Sequence, residues 1–304
     1  MSKLFKTAFT LIELLVVIAV IGILSGLIVV ATNGMTSSAT VAKAKVFSNS
    51  IGKTFRLNSV SEWKFDELSS ALNGQSIQDT WGVNNGTLST GDANNKLTTN
   101  CVYGKCLYFD GGNDYINCGS GALNIRNNFT IEAWIKDIYT TTSQCIVSND
   151  RDMSPPSGGL DLRINAAHYL YGFIWKNSDS LSIGVTSDTF VPDNAWQHIV
   201  FTFNGTDLIL YQDGQRTGIQ TIPLNSIKTA PYNLMVGVLG YSAPTWLRFK
   251  GYIDEIRIYS AAISVSKIKE EHYSGLNNML FNGNISKEEY LNRIKQTSTN
   301  EQSN

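Results

Sequence analysis

The chain has 304 residues, 42% hydrophobic and 11% aromatic, enough for a folded core in one large or two ordinary domains. Its formal net charge of −1 offers no basic surface for nucleic acid or anionic lipid, so neither is expected as a partner. Only 16% of residues are charged and 25 are glycine, a balance that suits a loop-rich β-protein better than a helical one.

Residues 6–24 read "KTAFTLIELLVVIAVIGIL" and open an apolar stretch reaching Ala31. As a helix, residues 9–31 span about 34 Å, enough to cross a bilayer of about 30 Å. Lys3 and Lys6 precede the stretch and form a basic flank that stays cytoplasmic. Glu13 is the anomaly. A charged side chain at the centre of a spanning helix costs about 2.5–3.5 kcal/mol and requires compensation. A conventional signal peptide has a shorter apolar core followed by a small-residue cleavage site. Here the small residue, Ala8, stands before the core, and a cut between Ala8 and Phe9 frees an amino group four residues from Glu13.

This segment, "AFTLIELLVVIAVIGIL", resembles the N-terminal signature of type IV pilins and type II secretion pseudopilins. The resemblance implies that a membrane prepilin peptidase removes residues 1–8 and N-methylates Phe9. It also implies that Glu13 pairs with the N-terminus of a neighbouring subunit during assembly, a buried ion pair that meets the cost of the acid. Ala8 departs from the glycine usual in the family. The implied partners are the peptidase, other pilin subunits in a helical polymer, and the bacterial inner membrane before assembly, with the head outside the cytoplasm. The mature location is an extracellular filament. Val41, Ala44, Ser48, Ile51 and Phe55 then recur at three- and four-residue steps, so one long helix is read to about Asn58 and an assembly segment over 9–60.

From Ser61 the period changes to alternation. "NFTIEAWIKDI" sets Phe129, Ile131, Ala133 and Ile135 against Thr130, Glu132, Trp134 and Lys136. "WQHIVFTFNGTDLILYQDGQ" gives two strands, with Asn204-Gly205 and Asp213-Gly214 as turns. Further strands are read at 106–109, 115–117, 144–148, 160–165, 170–176, 181–186, 232–238 and 253–259. So many short strands with glycine-rich turns predict a two-sheet sandwich. Cys101 and Cys106 flank "VYGK" within disulfide reach and are read as a bridge ahead of free thiols; Cys118 pairs with Cys145 by elimination. The cysteine spacing lacks a zinc pattern.

The ordered set "EWKFDE", "DTWGVNNGTL", "GKCLYFDGGNDYINC", "FTIEAWIK", "WQHIVFTFNG", "LYQDG" and "FKGYIDEIRIYSAAIS" resembles the LamG-like jellyroll, a concanavalin A-like lectin/glucanase fold, over 61–264. In such a sandwich the first and last strands pair. Relatives with a structural calcium make Asp66, Asp110, Asp114 and Asp254 the available hard ligands; the alternative is turn caps and a solvated strand acid. Lectin-type sites use an aromatic platform, for which Tyr169, Tyr171, Trp175, Tyr241 and Trp246 are candidates against a core role for each.

Glycosidases need two carboxylates flanking a cleft. Neither the E-x-D-x-x-E nor the E-x-D-x-E pattern occurs. Asp254 and Glu255 are adjacent, so regular alternation sends them to opposite faces, and Glu132 stands alone in its strand. His198 is read as a strand residue packed beside Trp196. No catalytic residues are assigned, and the chain is not read as an enzyme. After Ser264 the pattern is helical again, with Ile268, Tyr273, Leu276, Met279 and Leu280 on one face. Ser286 and Glu289 form a capping box, and this 265–304 tail is expected to dock on its own sandwich, with disorder from Thr297. The reading is a filament subunit whose head sticks to glycans or surfaces. Its rivals are a membrane-tethered lectin that never polymerises and a secreted carbohydrate enzyme.

Overall fold

The computed structural model describes residues 58–94, 96–120, 128–150, 158–176, 182–222, 227–228, 232–240 and 247–299. The candidate cleavage and assembly residues Ala8, Phe9 and Glu13 lie outside the described residues, as does the segment expected to form a long N-terminal helix. Tyr241 and Trp246 do as well. Among the described residues no helix is long and apolar enough to cross a membrane.

Sixteen strands among the described residues form two antiparallel sheets. Sheet A runs β14 (Gln215–Thr221), β13 (Asp207–Gln212), β12 (Trp196–Phe203), β7 (Phe129–Asp137), β16 (Lys250–Tyr259), β5 (Cys106–Asp110), β4 (Leu97–Thr98). The first strand, β1 (Ser59–Trp63), completes it by pairing with the last, β16, where Trp63 faces Ile256. Sheet B runs β11 (Ser182–Phe190), β10 (Tyr169–Trp175), β9 (Leu160–Ile164), β8 (Gln144–Ser148), β15 (Met235–Val236), β6 (Tyr115–Asn117), β3 (Gly86–Ser89), β2 (Ser76–Ile77). The expected 232–238 strand shrinks to two residues because Gly237 turns the chain at φ 81°.

Alternation decides which side chains fill the sandwich. Phe129, Ile131, Ala133 and Ile135 of β7 join Ile199, Phe201 and Phe203 of β12 and Leu162, Ile164, Leu170 and Ile174 of sheet B in one core. The other face of sheet A is also covered. Trp134 and Trp196 pack with Cys101, Val102, Leu276, Met279 and Ile285 in a second apolar layer. The helices that form it are α1 (Val265–Phe281), capped by Ser264, whose side chain accepts from Lys267 N, and α2 (Lys287–Thr299). Ser286 Oγ accepts from Glu289 N at 3.0 Å, the capping-box bond read from the sequence. Helix α2 continues past the position where disorder was expected: Thr297 is buried, and its hydroxyl donates to Arg293 O at 2.9 Å. A hydroxyl bonded back one turn of helix and sealed against the sandwich has no reason to fray.

Cys101 and Cys106 form a disulfide with Cα atoms 5.6 Å apart. The second expected pairing is wrong. Cys118 and Cys145 are free and buried, Cys118 in the main core and Cys145 with Leu239 and Leu247 in a separate apolar pocket.

Candidate functional site

The expected aromatic platform on β10 is a packed layer. Leu170 and Ile174 point into the core, so Tyr169, Tyr171, Phe173 and Trp175 share the opposite face of sheet B. There the Arg163 guanidinium lies 5.1 Å from the Phe173 ring centre and 5.9 Å from that of Tyr171. Trp175 is 4% exposed and its Nε1 donates to Asp150 Oδ2 at 3.0 Å. The ring faces and polar handle that a sugar would use are engaged within the protein.

The four candidate calcium ligands do not converge. Asp66 accepts from Lys105 N, while Asp254 accepts from Val102 N and Tyr103 N beneath α1. Asp110 and Asp114 are neighbours, but a lysine takes the place of a cation between them: Lys96 Nζ lies 2.9 Å from Asp114, 3.2 Å from Asp110 and 3.0 Å from Asp92. Lys96 is 4% exposed. The carboxylates compensate the buried ammonium, which occupies the space between them, and no group of described residues is arranged to hold a metal ion.

Between sheet A and α1 lies a buried ionic cluster that alternation alone does not reveal. Regular pleating would separate Asp254 from Glu255, but β16 bulges there and Glu255 adopts φ 51°, which turns both carboxylates into the layer under the helices. Arg257 is the hub: Nε lies 2.8 Å from Glu62, one terminal nitrogen is 3.2 Å from Glu132 and 3.1 Å from Glu271, and the other contacts Glu255. His198 pairs across strands with Trp134 rather than beside Trp196, its ring 5.0 Å from the indole and its Nε2 3.1 Å from Glu132. Burial opposes ionisation of Glu132, but the His198 hydrogen bond and Arg257 outweigh it and hold the carboxyl at about 2. Burial pushes Glu255 up to about 7 despite Arg257. Glu132 is fully buried and Glu62 nearly so; a carboxylate pair sealed this way has no path to a glycosidic bond.

The open site is elsewhere, where α2 meets the ends of β11 to β14. Asp213 and Gly214 both adopt positive φ, 51° and 76°, the geometry a two-residue hairpin turn requires. That turn points Asp213 at α2, where Arg293 reaches it at 3.1 Å and also donates to Trp196 O at 2.6 Å. Beside the turn opens a cleft of about 670 Å³, walled by α2 on one side and by Thr189, Phe190 and Pro192 on the other. Its lining is rich in amides and hydroxyls: Gln197, Gln212, Gln215, Thr217, Asn292 and Gln296. Gln212 Nε2 donates to Gln197 Oε1 at 2.9 Å and to Phe190 O at 3.1 Å, which ties the wall to the floor. Behind Phe190, the buried His168 ring is stacked between Phe190 (ring centres 5.4 Å apart) and Tyr139 (4.1 Å). Next to this stack, His168 Nδ1 stands 3.4 Å from Asp137, whose carboxyl burial pushes up to about 6.

Residues 110–269 match the profile of the concanavalin A-like lectin/glucanases superfamily. The chain belongs to this superfamily. Residues 6–29 match the prokaryotic N-terminal methylation motif, so the lectin-like head is joined to a pilin-type signal. Adhesion G-protein coupled receptor V1 of Danio rerio is 28% identical over 155 residues, 49% of this chain but 2% of that receptor's length. Among solved structures, the binding domain of Paraclostridial Mosquitocidal Protein 1 aligns with a TM-score of 0.56 at 19% identity, covering 73% of this chain and 53% of that one. The Botulinum neurotoxin serotype D ligand binding domain, solved in complex with N-acetylneuraminic acid, gives 0.54 at 16% identity, covering 74% and 52%. The chain therefore spans about half the length of these structures, and the likeness is one of fold.

Within this concanavalin A-like head the cleft was not singled out by sequence. Its signal was present, since Gln197, Gln212 and Gln215 flank strands and a turn that were read correctly. Nothing local shows that β12, β13 and β14 bring the three amides to one place beside α2.

Proposed function

We propose that the chain is a structural subunit of a type IV pilus or type II secretion-like filament, made as an inner-membrane precursor, whose lectin-like head binds glycans or surfaces. The observation that carries this reading is Glu13 within a segment matching the N-terminal methylation motif, four residues beyond a candidate cut between Ala8 and Phe9. A lone acid in an apolar helix has a purpose when a neighbouring subunit's amine meets it. The fold supports the head's role, as the similar domains include one solved with bound N-acetylneuraminic acid. Glu62 and Glu132, paired around Arg257, are sealed from solvent, which supports a binding rather than a catalytic head. Mass spectrometry of sheared surface filaments tests it: the mature chain is expected to start at methylated Phe9, and Glu13→Gln is expected to abolish fibres. Normal fibres from that variant, or a mature protein that keeps residues 1–8, would leave a tethered lectin instead.

A further inference from the structure

We propose that the cleft between α2 and the Asp213-Gly214 turn binds a neutral oligosaccharide; this rests on the glycan-binding reading of the head and assigns its site and ligand class. Two wall atoms are unspent. Gln212 Oε1 and Thr217 Oγ1 are buried without a hydrogen-bond partner among the described residues, in side chains 5% and 4% exposed. Buried polar atoms are nearly always paired, so two orphans lining one cleft point to a partner supplied from outside. Both side chains line the cleft.

The rim supplies the apolar half of sugar recognition. Phe190 lines the cleft, is 46% exposed, and stacks on the His168 ring, which holds it in place. A rigid, half-exposed aromatic beside convergent polar groups suits the apolar face of a pyranose. Charge selects the class. The lining carries Asp213, Glu288 and Glu289 against Arg293 alone, and that guanidinium is already bound to Asp213 and to Trp196 O. An anionic sugar would meet excess negative charge with no uncommitted cation in the lining.

The test is calorimetric titration of the full-length chain in lauryldimethylamine oxide micelles, a detergent without a sugar headgroup. The probes are cellotetraose, maltotetraose, xylotetraose, chitotetraose and 3′-sialyllactose. At least one neutral tetrasaccharide is expected to bind and the sialyl sugar not to. Phe190→Ala and Thr217→Val should each weaken binding at least tenfold at unchanged Tm, since the valine replaces a hydroxyl with no partner to lose. Neutral-sugar binding untouched by both variants, or weakened only by Tyr171→Ala on sheet B, overturns the cleft and leaves the glycan-binding head. Binding of the sialyl sugar alone overturns the ligand class. Silence from all five probes overturns the site together with the glycan-binding reading.

Discussion

Arg257 Nε lies 2.8 Å from Glu62 Oε1 and so ties the last strand of the sandwich to the first, across 195 residues of sequence. The same guanidinium faces Glu132, Glu255 and Glu271, under α1 and out of water. Removing it leaves buried carboxylates without their cation, which costs more than the intact cluster contributes. Arg257→Met is expected to destabilise the head by about 3–5 kcal/mol. Adding Glu62→Gln and Glu132→Gln to that variant should recover part of the loss. Urea unfolding followed by tryptophan fluorescence measures both.

Acid is expected to loosen the helical layer through His272. Its ring is fully buried, lies 5.7 Å from that of Trp134, and has Asp213, His198 and Arg293 as its charged or titratable neighbours. Burial, only partly offset by Asp213, lowers its pKa to about 3 from 6.5. Between those values the unfolded chain binds the extra proton, so stability falls as pH drops from 6.5 towards 3. Glu132, at about 2, adds a loss of the same sign below 4.5. Asp137, raised to about 6, acts oppositely and costs stability as pH rises from 3.8 through 6. His272→Phe should therefore shrink the drop in Tm between pH 7.5 and pH 4.5, and Asp137→Asn should raise Tm at pH 7.5 relative to pH 4.5. Thermal melts across that range check the two signs separately.

Gly275 lets α1 lie flat on sheet A. A Cβ at this position would stand 2.2 Å from Trp134 Cζ2 and 3.0 Å from Val102 Cγ1. Alanine favours a helix over glycine by about 1 kcal/mol, while overpacking a core costs about 1–3 kcal/mol. The collision is with a fully buried indole, so the packing loss is expected to win. Gly275→Ala should lower stability by about 1–2 kcal/mol net and speed proteolytic release of the C-terminal helices. A stabilised variant would mean that α1 docks less closely.

Calcium is expected to leave the head unchanged. Lys96 Nζ already sits among the Asp92, Asp110 and Asp114 carboxylates, where a cation would bind, and Asp66 and Asp254 serve backbone amides at other places. Melting midpoints of the full-length chain in calcium and in chelator should coincide, whereas Lys96→Met should destabilise it by unpairing Asp114, which is 1% exposed. A midpoint raised by calcium in the wild-type chain would show a cation site that these residues do not form.

The sequence by itself determined the features that depend on near neighbours. Period-two alternation separated Phe129, Ile131, Ala133 and Ile135 from Glu132 and Trp134; Asp213-Gly214 and the Ser286 cap marked a turn and a helix start; Cys101 and Cys106 met because only four residues part them. Glu13 also stands out from composition alone, as a lone acid within an apolar stretch. The tertiary structure decided the partners. Which acids surround Arg257, that Lys96 fills the aspartate cluster, that Cys118 and Cys145 stay apart, and that four glutamines line one cleft all follow from strand order, the docking of α2 and one bulge in β16. Local geometry is fixed by covalent structure and by neighbours a few residues away, and it recurs in any fold. Ionic and amide partners are chosen by the register of strands far apart in the chain, and a single extra residue in a strand reassigns the face of every side chain beyond it.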